Sequence, residues 1–337
     1  MPAATLGAFA LGLTVVFAGA VGVGNAVGPV GTAAAPEHGE AAGGAAAAPA
    51  HGGTPATDAA SSPGHDSAAH GASPAAAPAP EGLSASLDGY TLRLDTPALD
   101  AGVRSELAFR VLGPDGEPVT AYTPTHDEDL HLVVVRRDGT GFQHVHPDRD
   151  TTGRWSVPLE LPTAGAYKVF ADTAPAGRDE ALALAADLQV PGDHRPVPLP
   201  AERRTAEVDG YTVTLSGALV AGRSSPVTLS VSRAGRPVSD LQPYLAAYGH
   251  LVSLRDGDLA YLHTHPDGAP GDGRTAAGPD IAFGVDVPTA GAYRLYLDFR
   301  HRGVVRTAEF TTTAAGTDAS APQAPVHDDT REEAHEP

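Results

Sequence analysis

Residues 131–148 read HLVVVRRDGTGFQHVHPD, and residues 250–267 repeat the pattern as HLVSLRDGDLAYLHTHPD. In each copy an apolar run that begins with His leads to an Asp-Gly pair and then to a second run that ends in HxHP. Apolar runs on either side of Asp-Gly predict a β-hairpin. Because side chains alternate along a strand, the two histidines of HxH share one face. Closing the hairpin brings the first His opposite the last His or its neighbour, so three imidazoles should converge at its open end.

The unit around the hairpin is duplicated. The motif DGYT begins at residue 88 in the first copy and at residue 209 in the second, and PTAGAY begins at residues 162 and 288. A proline-rich linker at residues 191–200 separates the copies and should be short and stiff. Such internal repetition indicates two structural units of the same kind.

Each copy divides into short alternating apolar runs without a clear helical period. About seven short strands separated by turn residues predict an antiparallel β-sandwich. We therefore predict an all-β chain with two tandem Ig-like antiparallel β-sandwiches, at residues 82–191 and 201–313. PTAGAY is typical of the tyrosine corner of such folds, in which a Tyr hydroxyl bonds back to the preceding turn. Trp155, Phe142 and Tyr261 are predicted to be packing residues.

The segments outside the repeats have different compositions. Residues 6–30 form an uncharged apolar run, long enough to cross a bilayer of about 30 Å as a helix. Residues 1–30 are thus predicted to be a transmembrane anchor or a signal peptide. The protein would then lie on the extracytoplasmic face of the cell membrane, or be secreted if the segment is cleaved. Residues 31–80, rich in Ala, Gly, Pro and His, and the acidic tail at residues 314–337 are predicted to be disordered.

Composition excludes several classes of function. The net charge is -19, and Lys168 is the only lysine, so the chain should repel phosphate backbones and is not expected to bind nucleic acid. Cysteine is absent and Met1 is the only methionine. Thiolate zinc sites, iron-sulfur clusters, blue-copper centres and thioether copper(I) sites are therefore excluded. A bound metal would have to be held by His, Asp, Glu or backbone oxygen.

The duplicated histidines predict a rim site for Cu(II) or Zn(II) in each repeat. Asp172 and Asp298 follow the corner tyrosines, and each could add a carboxylate to the three histidines of its repeat. The first predicted set is His131, His144, His146 and Asp172, and the second is His250, His263, His265 and Asp298. The first copy alone adds His126, Asp127, Glu128 and Asp129 just before the hairpin.

The pattern DLHLVVVRRDGTGFQHVHP followed by WSVPLELPTAGAYKVFAD resembles a group of secreted or membrane-anchored actinobacterial tandem Ig-like proteins of unknown function. Their units are similar to YtkA-like and periplasmic copper-handling domains. The resemblance covers about residues 82–313 and rests on DLHL or GHL, HxHP and PTAGAY. It implies the same His and Asp ligands at the positions named above. The lack of internal methionine departs from relatives that carry copper(I).

These observations predict an extracytoplasmic, non-enzymatic protein that buffers Cu(II) or Zn(II) or delivers it to a membrane metal transporter. An alternative is a non-catalytic cell-surface interaction or spacer module without metal, whose histidines hydrogen-bond within the rim or sense pH. A remote alternative is an enzyme like Cu/Zn superoxide dismutase, which is also a β-sandwich with an HxH strand. That enzyme requires a disulfide and a bridging His cluster, and the sequence offers no cysteine for the former.

Overall fold

Strands are the only regular elements in the part of the chain that the structure describes, which confirms the all-β prediction. The computed structural model describes residues 81–178, 180–262 and 264–317, all within the unit Gly71–Pro337. Within these residues no helix is long and apolar enough to span a membrane. The predicted membrane segment at residues 1–30, the linker at residues 31–80 and most of the acidic tail lie outside the described residues.

The first repeat folds into two antiparallel sheets. Its strands are β1 (Ser86–Leu87), β2 (Tyr90–Leu94), β3 (Arg104–Leu112), β4 (Leu130–Arg136), β5 (Gln143–Val145), β6 (Asp148–Arg149), β7 (Arg154–Glu160), β8 (Gly165–Thr173) and β9 (Leu182–Val190). One sheet has the order β1-β2-β3-β7-β6, and the other has the order β5-β4-β8-β9. The pairing of strands that are not consecutive in the sequence, β3 with β7 and β4 with β8, is characteristic of the immunoglobulin fold.

The second repeat has the same plan. Its strands are β10 (Thr205–Val208), β11 (Tyr211–Gly217), β12 (Arg223–Arg233), β13 (Arg236–Pro237), β14 (His250–Arg255), β15 (Tyr261–Leu262), β16 (Thr264–Pro266), β17 (Asp280–Val287), β18 (Gly291–His301) and β19 (Val304–Ala314). One sheet runs β10-β11-β12-β17-β16, with β13 paired to β12, and the other runs β15-β14-β18-β19. The prediction of tandem Ig-like sandwiches is therefore confirmed.

Each sandwich has its own apolar core. Phe109, Leu132 and Trp155 are buried in the first, and Leu251 and Phe283 are buried in the second. Trp155 is stacked with Phe109, as expected for a packing residue. Burial of such side chains is the main source of stability, since no disulfide is available.

The tyrosine corner is present in both repeats. The Tyr167 hydroxyl donates a hydrogen bond to the carbonyl oxygen of Thr163 at 2.9 Å, and the Tyr293 hydroxyl donates to that of Thr289 at 2.7 Å. Both tyrosines are fully buried. The bonds fix the chain where it enters β8 and β18, the central strands that carry Asp172 and Asp298.

A third apolar cluster joins the two repeats. The outer faces of β4 and β14 contribute Val133, Val135, Val252 and Leu254 to it. Two aromatic pairs also cross between the repeats. Phe142 of the first repeat stacks on Tyr296 of the second with ring centroids 4.0 Å apart. The equivalent residues form the other pair, in which Tyr261 of the second repeat lies 5.5 Å from Phe170 of the first. Because corresponding residues exchange partners, the repeats pack through an approximately two-fold, self-complementary interface. Phe142 and Tyr261 are packing residues, as predicted.

The two hairpins differ after their turns. In the first repeat β5 pairs with β4, with Leu132 opposite Val145, so His131 lies opposite His146. In the second repeat β15 pairs with β14 only at its two residues, and β16 then pairs with β17 in the other sheet. The HxHP strand of the second repeat therefore crosses from one sheet to the other, whereas that of the first repeat remains beside β4 through Val145.

Candidate metal centre

Three histidines of the first repeat meet at the open end of its hairpin. His131 Nδ1 lies 3.2 Å from Nε2 of His144 and 3.2 Å from Nε2 of His146. His131 Nε2 lies 2.9 Å from the carbonyl oxygen of Thr125. A carbonyl oxygen only accepts hydrogen bonds, so this nitrogen carries the ring proton. Nδ1 of His131 therefore presents a lone pair to His144 and His146.

The second repeat adds a histidine to the same cluster. His250 begins β14 and His131 is the second residue of β4, and the packing of the repeats stacks their rings 5.2 Å apart. The His250 ring also lies 4.8 Å from that of His144. One potential ligand atom each from His131, His144 and His250 lies within 4.8 Å of the other two.

Asp298 of the second repeat orients His144 of the first. His144 Nδ1 donates to Asp298 Oδ2 at 2.8 Å, and Thr307 Oγ1 donates to Asp298 Oδ1 at 2.6 Å. The side chains of His144 and Asp298 are only 1% and 4% exposed. Both carboxylate oxygens are thus engaged, so Asp298 holds a histidine in place and does not have the ligand position that the sequence predicted. The remaining nitrogen of His144, Nε2, faces His131.

The other predicted residues lie elsewhere. Asp172 accepts a hydrogen bond from the Tyr261 hydroxyl at 3.2 Å. His265 lies on β16, with a side chain 68% exposed and Nε2 3.9 Å from Asp286 Oδ2. His263 lies outside the described residues. The sequence predicted two separate sites, each with four ligands. The structure instead brings together one group of residues from both repeats: His131, His144, His146, His250 and Asp298.

Two physical causes account for this difference. The crossing of the second HxHP strand to the other sheet carries His265 away from His250. The interface between the repeats then places His250 and Asp298 against the first hairpin. The carboxylate that corresponds to Asp298 in the first repeat is Asp172. It accepts a hydrogen bond from the hydroxyl of Tyr261, whereas Asp298 accepts one from His144.

Burial favours the neutral form of three histidines in the cluster. Loss of solvation, with a smaller effect of the neighbouring His144, lowers the pKa of His131 to about 3 and that of His146 to about 4. Burial also lowers the pKa of His250 well below its usual value. Neutral imidazole is the form that binds metal ions, so at neutral pH these side chains are prepared to act as ligands.

Several residues of the site are not predicted by the sequence patterns, or only weakly. His126 was expected only as an extra candidate of the first copy, yet its ring lies 5.9 Å from that of His131 and 5.4 Å from that of His250. Tyr244 lies 6.3 Å from His146, and burial raises its pKa to about 12. Thr125 acts through its backbone, and Thr307 comes from an edge strand far along the chain, so neither gives a sequence signal.

Fold and site together define a tandem Ig-like β-sandwich protein with a histidine centre between its repeats. The chain belongs to the family described as domain of unknown function DUF8832, whose model matches it twice, at residues 85–190 and 206–316. No curated protein matches the sequence.

Several solved structures show a distant likeness to the chain. The Escherichia coli adhesin FdeC is 14% identical, with 68% of this chain and 65% of that chain covered and a TM-score of 0.24. Invasin, a bacterial integrin-binding protein, is 14% identical, with 66% and 39% covered and a TM-score of 0.20. The D0-D1 domain of intimin is 12% identical, with 66% and 96% covered and a TM-score of 0.19. The chain spans less than two thirds of the length of FdeC and of invasin.

Proposed function

We propose that this protein binds one divalent transition metal ion, Zn(II) or Cu(II), in the histidine cluster between its repeats. The role would be extracytoplasmic metal buffering or delivery, without a catalytic step. The ligands would be His131, His144 and His250, with His146 beside them. Both repeats would contribute to one site, so neither repeat alone would form it.

The main support for the proposal is that the lone pairs of His131 Nδ1 and His144 Nε2 point toward each other. His131 donates one ring N–H to Thr125 and His144 donates one to Asp298. Metal-binding histidines usually donate their second nitrogen to a backbone carbonyl or a carboxylate in this way, which fixes the tautomer and the ring orientation. The two remaining nitrogens face each other at 3.2 Å, where a shared cation would convert repulsion between lone pairs into two bonds.

The spacing of these nitrogens also fits a metal ion. Two nitrogens bound tetrahedrally to Zn(II), each at about 2.0–2.1 Å, lie about 3.3 Å apart. Adjacent nitrogens around a square-planar Cu(II) lie closer, at roughly 2.8 Å. His131 Nδ1 is 3.2 Å from both His144 Nε2 and His146 Nε2, so tetrahedral Zn(II) is the better fit of the two.

A proton is the natural competitor for the same position. His131 Nδ1 has one lone pair, so only one of its two neighbours can donate to it. The other neighbour would keep a lone pair with no proton to share, in a pocket where desolvation disfavours additional charge. A divalent ion accepts the facing lone pairs of His131 and His144 together, which supports metal binding over a cluster held by hydrogen bonds alone.

The proposed location rests on the N-terminal sequence. The uncharged apolar run at residues 6–30 supports attachment to the membrane or export, and the histidines of the following linker could collect ions near the membrane. A membrane metal transporter is the recipient that we propose for delivery.

A second candidate is a cell-surface interaction or spacer module that binds no metal. The apolar interface that packs one repeat against the other supports it, because such packing would hold the two repeats in a fixed relative orientation. This candidate predicts that replacing the cluster histidines leaves metal binding unchanged.

Isothermal titration of the purified full chain with Zn(II), and separately with Cu(II), distinguishes the two candidates. Linker histidines are first replaced by Ala to remove weak sites: His38, His51, His65 and His70. We expect one remaining tight site, which should be lost in His131→Ala and also in His250→Ala. Loss in the second variant is the decisive result, since His250 belongs to the other repeat.

His265→Ala is the matched control, because that side chain is exposed and outside the cluster. Thermal unfolding of each variant verifies that it is folded at the titration temperature. Equal binding by the unaltered chain and by both cluster variants would refute the proposed site.

A further inference from the structure

A second feature at the rim of the cluster is the turn that precedes β4. Thr125 and Glu128 exchange backbone hydrogen bonds of 2.9 and 3.1 Å, and the Thr125 carbonyl also accepts the bond from His131. The turn is therefore fastened directly to one of the proposed ligands. His126 projects from it in a left-handed backbone conformation, with φ 50°.

The second repeat shows what this turn requires structurally. Tyr244 and Ala247 exchange the same backbone bonds, at 2.8 and 3.2 Å. Leu245 stands in the position of His126, with φ 55°, and is buried. An apolar residue thus satisfies the same backbone geometry, so the turn itself does not require a histidine. The backbone geometry of the turn therefore does not explain why a histidine occupies position 126, and its imidazole can have a chemical role.

The position of His126 suggests that explanation. The side chains that would bind the ion are almost inaccessible, His131 and His144 each being about 1% exposed. His126 is half-buried, and its ring is edge-on to those of both His131 and His250. A hydrated ion that approaches from solvent would therefore meet His126 before it has lost its bound water molecules. Asp127, which follows it, is exposed and would attract a cation to this side.

We infer that His126 is the exchange ligand through which a Zn(II) ion enters and leaves the cluster. This role deepens the proposed function and rests on it. His126 binds the partly hydrated ion at the rim and passes it to His131 and His250 by replacing one ligand at a time. No ligand position in the loaded site depends on it, so it governs the rate of exchange and leaves the affinity nearly unchanged.

The test compares the full chain with His126→Leu, which introduces the residue that the second repeat uses at the same position. Linker histidines are replaced by Ala in both proteins, as in the titration. Zn(II)-loaded protein is mixed with an excess of a chromophoric chelator, and transfer is followed by stopped-flow absorbance. Loading of the metal-free protein is followed in the reverse experiment.

We expect His126→Leu to slow both transfer and loading about tenfold, which corresponds to a barrier higher by about 1.4 kcal/mol. The Zn(II) stoichiometry should not change, and the affinity should remain within about twofold. His265→Ala, which removes an exposed histidine away from the rim, should exchange at the unaltered rate.

Three other outcomes would contradict this role of His126. Unchanged rates in His126→Leu, with tight binding retained, would overturn the role of His126 and leave the proposed site standing. A large loss of affinity would make His126 an ordinary ligand. Absence of saturable Zn(II) binding by the unaltered protein would overturn the proposed function and this role with it.

Discussion

His144 of the first repeat donates its Nδ1 proton to Asp298 of the second repeat across 2.8 Å. Neither side chain has appreciable contact with solvent, and the second oxygen of Asp298 is held by Thr307. The bond therefore couples the orientation of an imidazole in one sandwich to the position of a carboxylate in the other.

Replacing Asp298 with Asn tests that coupling. The substitution keeps an acceptor for His144 but removes the negative charge that makes the imidazole a better donor to metal. Loss of such a supporting partner typically weakens metal binding about 10–100-fold, and we expect a decrease in this range in a Zn(II) titration, with stoichiometry retained. Asp172→Asn is the matched control, because the equivalent carboxylate lies against Tyr261. Equal weakening in both variants would contradict the assignment.

The stability of the metal-free protein should decrease in mild acid. Burial lowers the pKa of His131 to about 3, whereas an unfolded histidine has a pKa of about 6.5. Below 6.5 the unfolded chain binds a proton that the folded chain does not, so the free energy of unfolding falls with decreasing pH, by roughly 1.4 kcal/mol per pH unit for this group. The contribution is fully present above 6.5.

Urea unfolding in the presence of EDTA, at several pH values between about 7.5 and 5, measures this effect. A free energy of unfolding that stays constant over this range would contradict the lowered pKa of His131 in the folded protein.

Tyr296 should be essential to the packing of the repeats. It is fully buried, stacks on Phe142 and donates its hydroxyl to the carbonyl oxygen of Gly139 at 2.7 Å. Truncation to Ala should lower the free energy of unfolding by about 3–5 kcal/mol. Tyr296→Phe keeps the ring and loses the hydrogen bonds of the hydroxyl with Gly139 and Arg294, so it should lower the free energy by about 1 kcal/mol.

Denaturant titration measures both changes. Val304→Ala is the comparison, because that side chain is 47% exposed and its loss should matter by less than about 0.5 kcal/mol. If Tyr296→Ala lowered the free energy of unfolding as little as Val304→Ala, that result would contradict the packing of the two repeats against each other.

The two tyrosine corners offer a prediction within the repeats. Tyr167→Phe and Tyr293→Phe each remove one buried hydroxyl that donates to a turn carbonyl. Each should destabilise the protein by about 1 kcal/mol and leave Zn(II) binding unchanged, because both hydroxyls lie far along the strand from the cluster. Thermal unfolding and titration of the two variants check this. An effect on metal binding would indicate that the corner positions the site.

The sequence patterns predict the architecture within each repeat. An Asp-Gly turn between apolar runs fixes the first hairpin, and its register places His131 opposite His146 because side chains alternate with a period of two. The position of PTAGAY before β8 and β18 predicts the tyrosine corner. These features depend on neighbouring residues, so local patterns contain the information.

The composite centre depends on contacts that local patterns do not encode. His144 and Asp298 are far apart in the chain, and only the packing of one sandwich on the other brings them together. The apolar run at residues 132–135 does hold a hint, since a strand that is apolar on both faces should be covered on both. The crossing of the second HxHP strand to the other sheet leaves no comparable signal, and it decides the position of His265.

The near two-fold relation of the repeats has a consequence for the evolution of the centre. Two identical subunits around such an axis would have to place every side chain twice, so that a second His126 would stand in place of Leu245. Joining both halves in one polypeptide removes that constraint. Each half is then free to change separately, and a single asymmetric set of donors can be assembled beside the axis.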